Sequence, residues 1–284
     1  MTATVKIALI QTNSGRDVAP NLAAVGEQVR QAAGAGARFV LTPENVAMLE
    51  PVRAQALGKA APEASHAAIP FFADLARALG IHLLAGSFAI KREDGLLANR
   101  SYLFDDKGRV AARYSKIHMF DVDLPNGERY RESSSFAPGE AAVLAPSPFG
   151  PIGLTICYDL RFPHLYRALA QAGAAILTVP SAFTVVTGEA HWHVLLRARA
   201  IETGCFVLAP AQTGTHAEGR RTYGHSLAVA PWGEILGDAG TDTGILYADL
   251  DLARIADARA RVPSLQHDRP FAPPLPVEEK SAAE

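Results

Sequence analysis

Short apolar runs of strand length alternate with stretches of helical spacing twice along this 284-residue chain, in the same order each time. That alternation restricts the fold more than any other feature. In the first half, residues 5–11, 38–42 and 81–88 read as strands. Residues 21–33 and 64–79 between them read as helices, stopped by Gly34 and Gly36 and by Gly80. A hairpin follows, with strands 100–104 and 110–114 joined by the turn residues Asp105, Asp106, Lys107 and Gly108, and then a long polar loop, 117–139. The pattern recurs as strand 152–157, helix 164–172, strand 175–180, helix 189–203 and strand 205–211, closed by strands 226–229, 234–236 and 245–249. Each half thus reads βαβαβ plus an antiparallel pair, which makes a mixed sheet with helices against one face. Right-handed crossovers put both helices of a half on the same side, so the two bare sheet faces can pack together. The expected fold is α/β, a four-layer αββα sandwich of two mixed sheets with helices outside. It is expected to occupy residues 1–271 as one domain. The tail 272–284, rich in proline and then charged, is expected to be an arm or disordered.

Composition removes several classes of function. The chain is 49% hydrophobic and 20% charged, which excludes general disorder. With 27 basic and 29 acidic residues the net charge is -2, so no global field draws the molecule to nucleic acid or to an anionic membrane. Two cysteines, Cys157 and Cys205, cannot form a disulfide framework, and no Cys/His spacing suggests structural zinc. The N-terminal run is too short for the core of a signal peptide, and the uncharged stretch 168–188 is broken by Gln171, Gly173, Pro180 and Ser181. A cytoplasmic protein without a membrane span is expected.

Three residues stand where chemistry gathers in α/β folds. Cys157 closes an apolar run and is followed by the polar turn Tyr158-Asp159-Leu160-Arg161-Phe162-Pro163. A thiol near a helix start and a cation gains thiolate character, though a lone Cys is also commonly a buried structural residue, as Cys205 in CFVLAP reads. Glu44 in LTPEN lies just past another strand, placed either as a general base or as an exposed carboxylate at a helix start. Lys116 in RYSKIHMFD reads alone as a solvated strand-end lysine. The histidines offer no clear site, since His191 and His193 on one helix point about 200° apart. HExxH, GxSxG, GxGxxG and phosphate-loop motifs do not occur.

Taken together these residues resemble the nitrilase superfamily of carbon–nitrogen hydrolases, marked by a Glu, Lys, Cys triad over three motifs. Glu44 in LTPEN, Lys116 in YSKIHMFD and Cys157 in GLTICYDLRFP match in order, 72 and then 41 residues apart. ESSSFAPGE, PSAFTVVTGEAHW, LLRARAIE, YGHS and PWGE extend the resemblance over residues 4–271. PSAFT, TGxAHW and LLRARAIE are closest to the Nit branch, which includes deaminated glutathione amidases and, nearby, ω-amidases. Two positions depart from that branch: His193, where Glu usually follows AHW, and Ala230, where Asp commonly precedes PWG.

The resemblance implies the four-layer sandwich of the nitrilase type, usually dimeric through the cysteine-bearing sheets and helices. It assigns Cys157 as nucleophile, Glu44 as general base, and the Lys116 ammonium and Tyr158 N–H as oxyanion donors, one such donor being worth on the order of 100- to 1000-fold in rate. Glu132 matches a glutamate that positions Lys116, though by sequence alone it pairs equally with Arg129 or Arg131. Asp159 and Arg161 are expected to hold the turn rigid. No cofactor or metal is implied. The expected activity is hydrolysis of the amide of a small acid, deaminated glutathione, to acid and ammonia through a Cys157 thioester, a metabolite-repair role. The alternatives are an ω-amidase acting on α-ketoglutaramate and a catalytically idle scaffold. Candidate carboxylate binders are Arg129, Arg131, Arg221, His193 and His216.

Overall fold

The apolar run near the N-terminus is buried on both faces, as a strand lying between two layers must be. The computed structural model describes residues 4–274. Its first half runs β1 (Thr4–Gln11), α1 (Val18–Gly34), β2 (Phe39–Leu41), α2 (Arg53–Lys59), β3 (Ala61–Pro62), α3 (Ala68–Leu79), β4 (His82–Lys91), β5 (Leu97–Phe104) and β6 (Val110–Ser115). A two-stranded ribbon follows, β7 (Asp121–Asp123) with β8 (Arg129–Arg131). The second half runs β9 (Val143–Ala145), β10 (Ile152–Leu154), α4 (Pro163–Gln171), β11 (Ile176–Thr178), α5 (Val185–Thr203) and β12 (Phe206–Ala209). After these come β13 (Thr213–Thr215), β14 (Arg221–Tyr223), β15 (Leu227–Val229), β16 (Ile235–Asp238), β17 (Gly244–Asp251) and α6 (Ala253–Arg261).

One sheet has the order β17-β1-β2-β4-β5-β6, with β3 beside the far end of β4; the other has the order β16-β15-β12-β11-β10-β9. The central strands of both are parallel and the flanking ones antiparallel, giving the two mixed sheets expected. Alternation along the strands sorts the layers. Ile7, Leu9, Phe39 and Leu41 join the core shared with Leu154, Leu208 and Trp192. Their neighbours Ala8, Ile10 and Val40 join Val25, Val29, Phe72 and Leu75 of α1 and α3 on the opposite face. Each of the Val, Leu, Ile and Phe side chains contributes roughly 1.5–3 kcal/mol by leaving water, so the αββα layering follows from period-2 burial.

The structure corrects the sequence reading in several places. Strand 245–249, expected to close the second half, is β17, and it pairs antiparallel with β1 in the first sheet, tying the C-terminal region to the N-terminus. Helix 64–79 begins only at Ala68, because Glu63–Ser65 forms a 3-10 turn and the His66 ring accepts the Ala68 N–H at 3.3 Å. α5 starts four residues earlier than expected, with Thr184 as its cap accepting from Thr187 N, where β-branched Val185 and Val186 had masked a helical start. α2, α6, β3, β9 and the two-stranded ribbons β7–β8 and β13–β14 were not foreseen. Strand 152–157 ends at Leu154. Of the expected tail, residues 272–274 are exposed without regular structure and the remainder lies outside the described residues. Among the described residues no helix is long and apolar enough to cross a membrane.

The segment carrying Glu44 is seated on a bulge in β4. The register of β4 against β5 shifts between Ala85 and Phe88, and there Gly86 N donates to Thr42 Oγ1 (3.0 Å) while Ser87 Oγ accepts from Asn45 N (3.0 Å). A Cβ at Gly86 would overlap the carbonyl oxygens of Thr42 and Pro43. Gly86→Ala is therefore expected to lower the unfolding free energy by about 3 kcal/mol in urea titrations. Gly58→Ala, in open space inside α2, should instead raise it by about 0.5–1 kcal/mol.

Candidate active site

Glu44 follows β2 on the turn Thr42-Pro43-Glu44-Asn45, where Asn45 takes a left-handed backbone (φ 56°) and the chain folds back under the sheet. Its carboxylate is buried. Oε1 accepts from Asn99 Nδ2 (2.8 Å) and Lys116 Nζ (3.1 Å), and Oε2 accepts from the backbone N–H of Ala182 (2.9 Å). Lys116 leaves the end of β6 and is only 2% exposed, which excludes a solvated strand-end lysine. Its ammonium is held on the other side by both oxygens of Glu132, at 2.9 and 2.8 Å. Glu132 also accepts from Phe120 N (2.7 Å), so it engages neither Arg129 nor Arg131, which pair with Asp123 instead.

Cys157 does not end a strand. It opens a 3-10 turn, Cys157–Arg161, in a left-handed backbone conformation (φ 49°) that costs a β-carbon residue about 1–2 kcal/mol. Asp159 holds the turn in place. Fully buried, it accepts from Ile156 N (2.9 Å), Tyr114 OH (2.7 Å) and His118 N (3.0 Å), and the His118 ring lies 2.7 Å away. The Cys157 N–H is spent on the Pro180 carbonyl at 3.0 Å. Tyr158 comes next, at the start of the turn, where no carbonyl inside the turn is available to its N–H. The Arg161 guanidinium lies over the Tyr158 and Phe183 rings at 5.8 and 5.6 Å and reaches His191 Nδ1 at 3.3 Å.

Charge balance sets the protonation of these groups. Burial by itself raises the Glu44 carboxyl, but the Lys116 ammonium and hydrogen bonds from Cys157, Asn99 and Lys116 outweigh it and leave Glu44 below the usual carboxylate range. Burial by itself lowers Lys116, but Glu132 and Glu44 more than reverse this and hold it as an ammonium. Burial and the neighbouring Glu44 charge push the Cys157 thiol up, against the pull of Lys116. The thiolate character anticipated from a strand end is therefore absent at rest: the thiol is neutral and faces an ionised carboxylate.

A cavity of ≈ 500 Å³ opens onto Glu44, Lys116, Cys157 and Tyr158, a size suited to a small molecule. Of the expected carboxylate binders, Arg129 and Arg131 line it, whereas Arg221, His193 and His216 do not. His216 is buried elsewhere, against Ser14 O and Thr222 Oγ1. Neither His193 nor Ala230, the two departures from the branch pattern, borders the cavity. Sequence reasoning missed Arg220, which does line it. Its guanidinium lies over Tyr130 (5.7 Å), Nη2 reaches Ala182 O (3.5 Å), and Nε is buried without a hydrogen-bond partner among the described residues. Also missed was Asn99, which donates to both Glu44 and Glu132 (2.8 and 3.4 Å). Standing beside Arg100 and Ser101 in β5, it offers no local signal in the sequence.

Residues 6–260 match the carbon–nitrogen hydrolase family. The chain is 43% identical to a deaminated glutathione amidase of Yersinia enterocolitica over 269 residues, 93% of this chain and 92% of that one. Its fold superposes on the NitFhit protein of C. elegans with a TM-score of 0.88 at 34% identity, covering 94% of this chain and 66% of that one. Nit3 of Saccharomyces cerevisiae, a member of branch 10 of the nitrilase superfamily, gives 0.83 at 30% identity, covering 92% and 94%.

Glu44 and Lys116 shift in opposite directions, so their pH windows can be worked out. The contribution of Glu44 is present above its ordinary value of 4.5 and is lost as pH falls through its lower folded value. That of Lys116 is present below 10.5 and is lost as pH rises through its higher folded value. The ammonium is thus a core group, and Lys116→Met leaves the buried Glu44 and the partly buried Glu132 carboxylates without their cation. The expected loss is about 3–5 kcal/mol at pH 7, shrinking toward pH 5 as the carboxylates take up protons; urea unfolding at both pH values measures it.

Proposed function

This chain belongs to the carbon–nitrogen hydrolase family, and on that premise we propose that it is an amidase acting on a small carboxylated amide, deaminated glutathione, through a Cys157 thioester. The observation that carries the reading is the meeting of a neutral thiol, an ionised carboxylate and a buried ammonium in one cavity. As Cys157 Sγ attacks the amide carbon, Glu44 takes the thiol proton. The oxyanion is met by Lys116 Nζ and Tyr158 N–H, with Glu132 and Asn99 keeping the ammonium in position. Glu44 then returns the proton to the departing nitrogen. That group is ammonia for a primary amide such as α-ketoglutaramate and an amine for deaminated glutathione, whose amide nitrogens bear a second carbon. Water activated by Glu44 cleaves the thioester, releasing the acid and restoring the thiol.

Arg220 is the proposed carboxylate partner of the substrate. It lies in contact with Ala182, whose N–H holds Glu44, and its buried Nε gains the acceptor it lacks among the described residues. The same reading includes a homodimer formed over α5. Val194, Ile201, Trp232 and Ile235 are 45–68% exposed, and Gly233 abuts Ile201, so this apolar surface extends from the helix onto the 231–235 turn. A cytoplasmic location and a single domain over residues 1–271 belong to the proposal as well.

Product formation from deaminated glutathione and from α-ketoglutaramate, measured in parallel, tests the function. Cys157→Ala should abolish turnover and the acyl-enzyme mass, and Cys205→Ala, whose buried thiol is directed at Ala174 O (3.1 Å), should leave both intact. Equal loss in the two variants would overturn the assignment, and a preference for α-ketoglutaramate would make the chain an ω-amidase. Arg220→Ala should lower kcat/KM by about 10- to 100-fold, with Arg220→Lys retaining part of it. For the dimer, Ile201→Glu is expected to halve the mass seen by light scattering.

A further inference from the structure

We propose that His193, His225 and Asp238 form a binding site for one divalent transition-metal ion of the zinc class, joining α5 to the edge strand β16. The three side chains come from separate elements: α5, the turn between β14 and β15, and the end of β16. His193 Nε2 lies 2.9 Å from Asp238 Oδ2, and His225 Nδ1 lies 2.9 and 3.1 Å from the two Asp238 oxygens. All three ligand atoms fall within 4.8 Å of one another, and among the described residues this is the one such group. Ligands at about 2.0–2.1 Å from a tetrahedral ion stand roughly 3.3 Å apart, so both His-to-Asp edges already have nearly the required length. Two imidazole nitrogens with one carboxylate select a borderline-soft ion and disfavour magnesium or calcium, which prefer all-oxygen shells.

The site is built rather than incidental. His225 holds a left-handed backbone (φ 56°), a conformation that a glycine would adopt without strain. It is locked there by its N–H to Gly240 O (2.7 Å) and by Trp192 Nε1 donating to its carbonyl (2.7 Å). Its ring stacks on Tyr223, with centroids 4.4 Å apart, and Gly240 N orients Asp238 Oδ1 at 2.9 Å. Retaining an imidazole at a strained position points from the outlier to a use for the side chain. The three side chains are 23–31% exposed, so an ion reaches them without the fold opening, and the fourth position is left to water. None of the three lines the cavity holding Cys157, so the ion's role is to brace α5, independently of the amidase reading.

Titration of the full chain with Zn2+ alone tests this, using Cys157→Ala as the background so that the one cavity thiol does not compete. Calorimetry should give one ion per chain, and a 100-fold excess over Kd should raise Tm by roughly 5 °C. His193→Ala and Asp238→Asn should each weaken binding at least 10-fold and remove the Tm shift. The metal-free Tm of each variant verifies that it is folded, and Co2+ should show the visible bands of a four-coordinate site only where both residues are intact. No binding at millimolar Zn2+, or a one-to-one site unchanged in both variants, would overturn the proposal.

Discussion

A buried ammonium between two carboxylates organises this molecule. Lys116 is taken out of water at a cost of several kcal/mol, which is offset only because Glu44 and Glu132 supply short contacts from both sides. The carboxylates in turn require donors of their own, and they draw them from distant parts of the chain: Asn99 on β5, Ala182 after β11 and Phe120 in the connecting segment. Ala182 belongs to the second half and Glu44 to the first, so the cluster is complete only when the halves are joined. Sandwich packing and site assembly are in this sense one event.

The same charges govern the thiol. Two carboxylates and one ammonium leave a net negative charge beside Cys157, and around a buried thiol that charge disfavours a second anion. The thiol stays protonated, while the carboxylate next to it is held ionised by Lys116. On the proposed mechanism, proton transfer and attack are therefore coupled, and a thiolate need not exist before substrate arrives. Asp159 serves this arrangement from behind. By gathering donors from Ile156, Tyr114 and His118 it stabilises a turn whose first residue is in a strained conformation, so that Sγ projects into the cavity instead of into the sheet.

Much of this was legible in the residues. The alternating apolar periods carried the layer order, because a strand covered on both faces must be apolar throughout. The three motifs around Glu44, Lys116 and Cys157 pointed to one chemistry. What escaped were elements whose cause is not local. β17 reads as one more strand of the second half, yet its partner is β1, some 240 positions away. α5 begins at β-branched residues with poor helical propensity, stabilised by the Thr184 cap and by packing against β12 and β14. Arg220 and Asn99 carry no motif, and each matters only through what lies opposite it.

The apolar periods by themselves determined the fold class, and the resemblance carried by the motifs around Glu44, Lys116 and Cys157 pointed to the carbon–nitrogen hydrolase family, because both depend on local pattern and on intrinsic chemistry. Tertiary structure alone decided which protonation state each group takes, that Glu132 faces Lys116 rather than an arginine, which guanidinium borders the cavity, and that His193 meets His225 and Asp238. All of these depend on distance and dielectric between residues remote in the chain, and such quantities come into existence only once the sheets have packed.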